Sequence, residues 1–165
     1  MNIRKARVRR VGFVDAQPLA DLLNRIVDEG DKTAIDTRFD ATEFRSWFVT
    51  GPHCLTCVVA ESVDGQLLGF QACERYLDQE LPEDCADIAT FVTDKARGSG
   101  IGQALLQQSL EEVASKGISH LRAVIRSGNS QGIAYYTRSG FNPVSEVKPS
   151  LAQPGSKKVV LARKV

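Results

Sequence analysis

The pattern of apolar and polar positions divides the chain into short strands and amphipathic helices. Residues 4–11 alternate charge with apolar side chains, Val8 and Val11 set against Arg7, Arg9 and Arg10, and predict a strand. Beyond it, Leu19, Leu22, Leu23 and Ile26 recur on one face of a helix. Asp15 is positioned to cap that helix, Pro18 stands in its first turn and Gly30 closes it. Residues 41–49 predict a second, shorter helix carrying Phe44 and Phe48 and broken by Gly51-Pro52. Residues 55–61 and 67–75 predict strands joined by the hairpin Ser62-Val63-Asp64-Gly65-Gln66. Residues 77–85 are acidic, contain a proline and read as a loop.

In the second half, 86–92 predicts a strand. Residues 101–116 predict a helix with Leu105, Leu106, Leu110 and Val113 on one side and Gly117 as its C-cap. Residues 120–125 form the next predicted strand, and 131–139 a helix closed by Gly140. Predicted strands at 141–147 and 158–162 flank a loop at 149–155. This order predicts a mixed α/β fold, with one twisted, mostly antiparallel sheet of about seven strands flanked by about four helices. No repeat, linker or low-complexity tract interrupts 1–165, so the whole chain is expected to be one domain.

Composition changes this picture little. The chain has 165 residues, 42% hydrophobic and 25% charged, with a formal net charge of +1. Those values describe an ordinary globular domain and select no charged partner. No stretch approaches the ~20 apolar residues that span a bilayer. The basic start, through Arg4, Lys5 and Arg7, lacks the apolar run of a secretory signal, so the expected location is the cytoplasm, with no membrane partner. His53-Cys54-x-x-Cys57 has metal-ligand spacing, but the remaining cysteines, Cys73 and Cys85, do not form a second close pair. No metal is expected, and the cysteines read as small apolar strand residues. The basic residues near the N-terminus alternate with apolar ones and read as the solvated side of an edge strand rather than a nucleic-acid surface.

One segment carries stronger chemistry. After the strand at 86–92 and the turn Thr93-Asp94-Lys95-Ala96 come Gly98, Gly100 and Gly102, at the start of a helix. A helix N-terminus offers unpaired N–H groups and partial positive charge, and glycines let the backbone approach an anion closely. The expected ligand is a phosphate or pyrophosphate. A Walker A loop would need Gly-Lys-Ser/Thr, whereas Gln103-Ala104 follows Gly102. A dinucleotide turn would need a third glycine where Gln103 stands.

Arg97-Gly98-Ser99-Gly100-Ile101-Gly102 resembles the Arg/Gln-x-x-Gly-x-Gly/Ala signature of the GNAT family of N-acetyltransferases. A second resemblance lies in Asn129, Tyr136 and Gly140-Phe141, with Gly132 where the family commonly has alanine. The resemblance covers nearly the whole chain. It implies acetyl-CoA as cosubstrate, its pyrophosphate held by main-chain N–H groups from Arg97 through Gln103. It implies Asn129 on the pantetheine or substrate side and Tyr136 near the thioester sulfur. It also implies an oxyanion donor in the main chain of the fourth strand, at Phe91 or Val92.

The chemistry such a family performs needs a base for the amine and an acid for the departing thiolate. A phenol can serve as the acid, which makes Tyr136 the candidate, although Tyr135 and Tyr136 can each also read as core aromatics. Asp87, on an otherwise apolar strand, and Glu74, on the preceding one, are the candidate bases, with a water chain as the third option. Residues 33–39, with Phe44 and Trp47, resemble the phosphinothricin acetyltransferase branch. The histidine that this branch commonly has near position 136 is absent, as is its C-terminal Gly/Trp/Asp pattern. The expected reaction is acetyl transfer to a primary amine of a small molecule by direct attack in a ternary complex. Protein acetylation and a non-catalytic coenzyme A-binding role are the alternatives. Terminal strands left exposed at the sheet edges would suit a homodimer.

Overall fold

The computed structural model describes residues 5–76, 80–144 and 157–165. Arg4, residues 77–79 of the acidic loop, 145–147 of the penultimate predicted strand and the loop at 149–155 lie outside the described residues. The elements follow the predicted order: β1 (Arg7–Arg10), α1 (Ala16–Asp28), α2 (Ala41–Phe44), β2 (Cys54–Glu61), β3 (Leu67–Glu74), β4 (Cys85–Val92), α3 (Ile101–Ala114), β5 (His120–Arg126), α4 (Ser130–Arg138), β6 (Asn142–Pro143) and β7 (Lys158–Lys164). The sheet order is β1-β2-β3-β4-β5-β7-β6. All neighbours run antiparallel except β4 and β5.

Helix α1 forms because its apolar residues share one face. Leu19, Leu22, Leu23 and Ile26 are buried with Phe44, Phe48, Phe70 and Phe91 on one side of the sheet. Each fully buried leucine contributes roughly 1.5–3 kcal/mol relative to exposure. Helix α2 is capped by Asp40, whose carboxylate accepts from the Glu43 N–H while the Glu43 side chain accepts from the Asp40 N–H. It continues as a π turn through Arg45–Val49. A Cβ at Gly51 would lie 2.4 Å from the Trp47 carbonyl oxygen, so the chain can turn into β2 there only with glycine. Helices α3 and α4 share a cluster with the other strand face, where Leu106, Val113 and Tyr136 meet Cys73, Ile88 and Leu121.

Asp15 differs from its predicted role. Its side chain does not cap α1. It accepts from the Gly12 N–H at 2.7 Å and from the Arg9 guanidinium at 2.8 and 2.9 Å. The buried carboxylate is satisfied by a strand arginine, so the turn Phe13–Asp15 leads into the helix instead. Strand β1 is a sheet edge as expected, although Arg9 and Arg10 point to Glu61 and Glu112 and form ion pairs.

The feature that positions the site is a parting of the sheet. Strands β4 and β5 pair only through Cys85↔His120, Ala86↔Leu121 and Asp87↔Arg122. Beyond these, β4 stays with β3 as far as Val92, and β5 stays with β7 as far as Arg126. The facing edges of Ile88–Val92 and Ala123–Arg126 are left open to each other.

Candidate functional site

A cavity of about 430 Å³ fills this gap. Its walls include Ile88–Val92 of β4, Val124–Arg126 of β5, Tyr135 and Tyr136 of α4, and Thr33 and Ile35 of the segment after α1. Arg97, Gly98 and Gly102 reach it from the glycine-rich turn. Backbone N–H groups alternate between the two edges of a strand. The Thr93 N–H bonds to the Leu68 carbonyl of β3, so the Phe91 N–H also points toward β3 and the Val92 N–H faces the cavity. Of the two predicted main-chain donors, the geometry therefore favours Val92.

The glycine-rich turn has the backbone that an anion requires. Gly98 and Gly100 have φ of 75° and 90°, a conformation in which side chains are strained. The first amide of α3 with a backbone acceptor is Ala104, bonded to the Gly100 carbonyl at 3.1 Å. The amides of Gly98, Gly100, Ile101, Gly102 and Gln103 are left without a partner among the described residues. These orphaned donors at a helix N-terminus fit a pyrophosphate. The side chains do other work. Ile101 is buried, Gln103 donates to the Ser139 hydroxyl at 2.7 Å, and the Ser99 hydroxyl bonds to the Ala96 carbonyl at 2.5 Å. Arg97 is held by Asp94 and Glu29 and donates to the Val92 carbonyl at 3.3 Å, so it anchors the turn to β4.

Tyr136 lies at the centre of the cavity wall, where its hydroxyl donates to the Ile88 carbonyl at 3.4 Å and sits 2.8 Å from the Thr90 hydroxyl. Burial pushes this phenol up, well above its ordinary value. The Tyr135 hydroxyl donates to the Gly102 carbonyl at 2.7 Å, which ties α4 to the glycine turn. Asn129 lines the cavity, but its side chain is already engaged. Its oxygen accepts from the Gly132 N–H at 2.9 Å and its amide donates to the Lys32 carbonyl at 3.2 Å. It thus caps α4 and straps the segment after α1 across the cavity. Arg126 reinforces that strap through the Thr33 carbonyl at 2.6 Å and Asp36 at 2.7 Å.

The two candidate bases face each other across β3 and β4, Glu74 opposite Asp87, on the side covered by α1 and α2. Asp87 is gripped by Nε and Nη2 of Arg122, at 2.7 and 3.1 Å. Glu74 accepts from the Tyr76 hydroxyl at 2.5 Å and from the Trp47 indole at 3.2 Å. Burial raises the Glu74 pKa, and the two hydrogen bonds oppose the rise. Neither carboxylate is part of the cavity lining.

No cysteine lines the cavity. Burial raises the thiols of Cys57 and Cys73, and that of Cys54 to about 12. All four are free, consistent with their expected role as small strand residues. His53, Cys54 and Cys57 do not converge as ligands. Among the described residues, the one group with metal-type side chains close together is Asp84, Cys85 and His120, within 4.8 Å. There, Ser119 hydrogen-bonds both Asp84 and His120.

The sequence profile of the acetyltransferase (GNAT) family matches residues 19–141. The chain belongs to that family. It is 29% identical over 155 residues to the L-methionine sulfoximine/L-methionine sulfone acetyltransferase of Pseudomonas aeruginosa, which covers 92% of this chain and 87% of the relative. Its fold matches the ribosomal-protein-alanine N-acetyltransferase of Brucella melitensis with a TM-score of 0.81 at 22% identity, over 96% of this chain and 99% of that one. It also matches the phosphinothricin acetyltransferase of Sinorhizobium meliloti, solved in complex with acetyl-CoA, with a TM-score of 0.79 at 21% identity, over 97% and 88% of the two chains. One of these two neighbours is named for a protein acceptor and the other for a small molecule. The GNAT fold alone therefore does not choose the amine.

Several residues of this GNAT site were not predicted. Gln71, Thr90 and Tyr135 join Tyr136 in one hydrogen-bond network. Trp47, Tyr76 and His53 pack around Glu74, with the His53 and Tyr76 rings stacked at 4.8 Å. Trp47 and Tyr76 carried a weak signal in the sequence, since Tyr76 follows Glu74 by two positions and Trp47 is the single tryptophan.

Proposed function

We propose that the protein transfers the acetyl group of acetyl-CoA to the primary amine of a small molecule, by direct attack within a ternary complex. The observation that carries this reading is the cavity between the parted strands, which joins the orphaned amides of the glycine turn to the open edge of β4. In this reading the amides of Gly98 and of Gly100 to Gln103 hold the pyrophosphate, and the Val92 N–H meets the developing oxyanion. Tyr136 gives its proton to the departing sulfur. The raised phenol keeps that proton at neutral pH and so has it to give.

Glu74, reached through water because it lies outside the cavity lining, is the base we favour. Its raised pKa suits it to accept a proton from an ammonium, whereas the Asp87 oxygens are committed to Arg122. We assign Asp87 the role of fixing Arg122. Direct attack is supported by the absence of any thiol in the cavity lining. A small amino-acid acceptor is supported by the named substrates of the Pseudomonas aeruginosa relative. We take residues 1–165 as one catalytic domain. Its free thiols suit a reducing cytoplasm, and no helix among the described residues is long and apolar enough to cross a membrane. The outer edges of β1 and β6 offer a homodimer interface that sedimentation velocity would read.

The test is release of free coenzyme A thiol from acetyl-CoA across a panel of amino acids, their sulfoximine and phosphinyl analogues, and a peptide with a free N-terminus. Turnover on amino-acid amines is expected. Saturable coenzyme A binding with no turnover on any amine would sink the catalytic reading. Turnover confined to the peptide would move the acceptor to proteins.

A further inference from the structure

The network behind Tyr136 has a direction, and that direction bears on how the phenol can lose its proton. Gln71 is fully buried on β3, beside Thr90 on β4. Its amide nitrogen donates to the Thr90 hydroxyl at 2.8 Å and to the Tyr135 hydroxyl at 3.3 Å. An amide nitrogen can only donate. Tyr135 spends its own proton on the Gly102 carbonyl. Thr90 therefore accepts from Gln71 and has one proton left to give. The Tyr136 oxygen at 2.8 Å can accept it, with the Tyr136 proton directed at the Ile88 carbonyl at 3.4 Å.

We propose that Thr90, aligned by the buried Gln71, is a positioning residue that stabilises the Tyr136 oxyanion as the phenol protonates the departing thiolate. The proposal rests on Tyr136 being the acid. In the step it serves, the amine nitrogen forms the N–C bond, and the C–S bond breaks with its electron pair on sulfur. Sulfur takes the Tyr136 proton, and the proton lost by the amine passes through water to Glu74, which lies outside the cavity lining. The Tyr136 oxygen is then anionic and can only accept, so the Thr90 hydroxyl 2.8 Å away is the donor to it. Charge-assisted hydrogen bonds are roughly twice as strong as neutral ones, so this bond strengthens as the proton leaves. The proton on Glu74 returns to Tyr136 through solvent, and the enzyme is restored.

A second observation sets Gln71 apart from an ordinary core residue. Its side-chain oxygen is buried and has no hydrogen-bond partner among the described residues. An apolar side chain of similar size would avoid that desolvation. The amide N–H directed at Thr90 gives a reason for glutamine at this position. Burial that raises the Tyr136 phenol also makes an unassisted phenolate costly, which is the deficit Thr90 offsets.

The test is a cycle of kcat and KM for Thr90→Val, Thr90→Ser and Tyr136→Phe, with Gln71→Met as a variant that leaves β4 untouched. Thr90→Val is expected to lower kcat about 10- to 100-fold, the loss of one hydrogen bond to a charged group, with KM for acetyl-CoA within about two-fold. Thr90→Ser should retain most of kcat, and Gln71→Met should show a smaller loss of kcat at unchanged KM. In the Tyr136→Phe background, Thr90→Val should have almost no further effect. If its loss is the same in both backgrounds, or if it falls on KM alone, the positioning role is wrong while Tyr136 remains the acid. If Tyr136→Phe itself leaves kcat unchanged, the acid assignment fails, and Thr90 and Gln71 lose their role with it.

Discussion

Replacing Gly102 by alanine sets helix propensity against packing. Gly102 is the second residue of α3, and in a helix interior alanine is favoured over glycine by about 0.8–1.0 kcal/mol. Against this, an added Cβ would stand 2.7 Å from Cε2 of Tyr135 and 3.2 Å from its Cζ. These atoms belong to a rigid ring whose hydroxyl is fixed by the Gly102 carbonyl on one side and Gln71 on the other. The ring must swing aside, losing a hydrogen bond of about 0.5–1.5 kcal/mol. Overpacking of this kind costs about 1–3 kcal/mol in total. After the propensity gain, a net destabilisation of about 0–2 kcal/mol is expected. That corresponds to a Tm lowered by up to about 8 °C for a domain of this size. The effect on coenzyme A should be small, because this is the Gly/Ala position of the family signature and the orphaned amides stay in place; the Tyr135 contact is the cost specific to this chain. Differential scanning calorimetry and titration of coenzyme A into the same variant measure the two effects. A raised Tm would refute the reasoning, since it would mean that Tyr135 yields freely, and so would a large loss of coenzyme A affinity at unchanged Tm.

Glu74→Gln should lower kcat/KM and remove the acidic limb of its pH profile, because the base must be deprotonated to act and burial has moved its titration upward; an unchanged limb assigns it to another group. Gly132→Ala should fail to stabilise α4 despite better propensity, because the new Cβ would lie 2.6 Å from the Asn129 amide nitrogen and disturb the cap; a rise in Tm of several degrees would contradict this. Asp15→Ala should cost about 3 kcal/mol in urea denaturation at pH 7, because it leaves the Arg9 guanidinium without a buried partner. The hydrogen bonds from Arg9, and then that from Gly12, hold the Asp15 carboxyl below the usual carboxylate range. Its stabilisation is therefore present above that range and lost as pH falls through the depressed value, so the wild-type protein should lose stability on acidification more steeply than the variant.

The elements were legible because each apolar stripe has one reading. Leu19, Leu22, Leu23 and Ile26 fit one face of a helix, and they are buried. Gly98, Gly100 and Gly102 marked an anion turn through local backbone chemistry alone. The parts that were missed depend on register. Nothing local to Gln71 or Thr90 shows that β3 and β4 set them side by side, since a polar residue in a strand ordinarily reads as solvated. Asp15 was misassigned for a similar reason: a carboxylate before a helix is a natural cap until a buried arginine from the preceding strand competes for it. Asn129 was legible as a motif position, yet its atoms close a helix and hold a loop. Asp87 and Glu74 could not be ranked without Arg122 and Trp47, which come from two other segments, and Tyr76, two positions beyond Glu74.

The parting of β4 from β5 also has a mechanical meaning. The strands from β1 to β4 and those from β5 to β7 form two half-sheets stitched by three residue pairs, like a hinge whose leaves stand open. An extended ligand carrying amide groups could lie along the bare edge at Ile88–Val92 and stand in for the missing length of strand. Ligand binding would then brace the two leaves, and the gain in rigidity should be greatest across the seam. Amide hydrogen exchange should register it there, as slowed exchange at Thr90 and Val92 that exceeds any change at the sheet's outer margins.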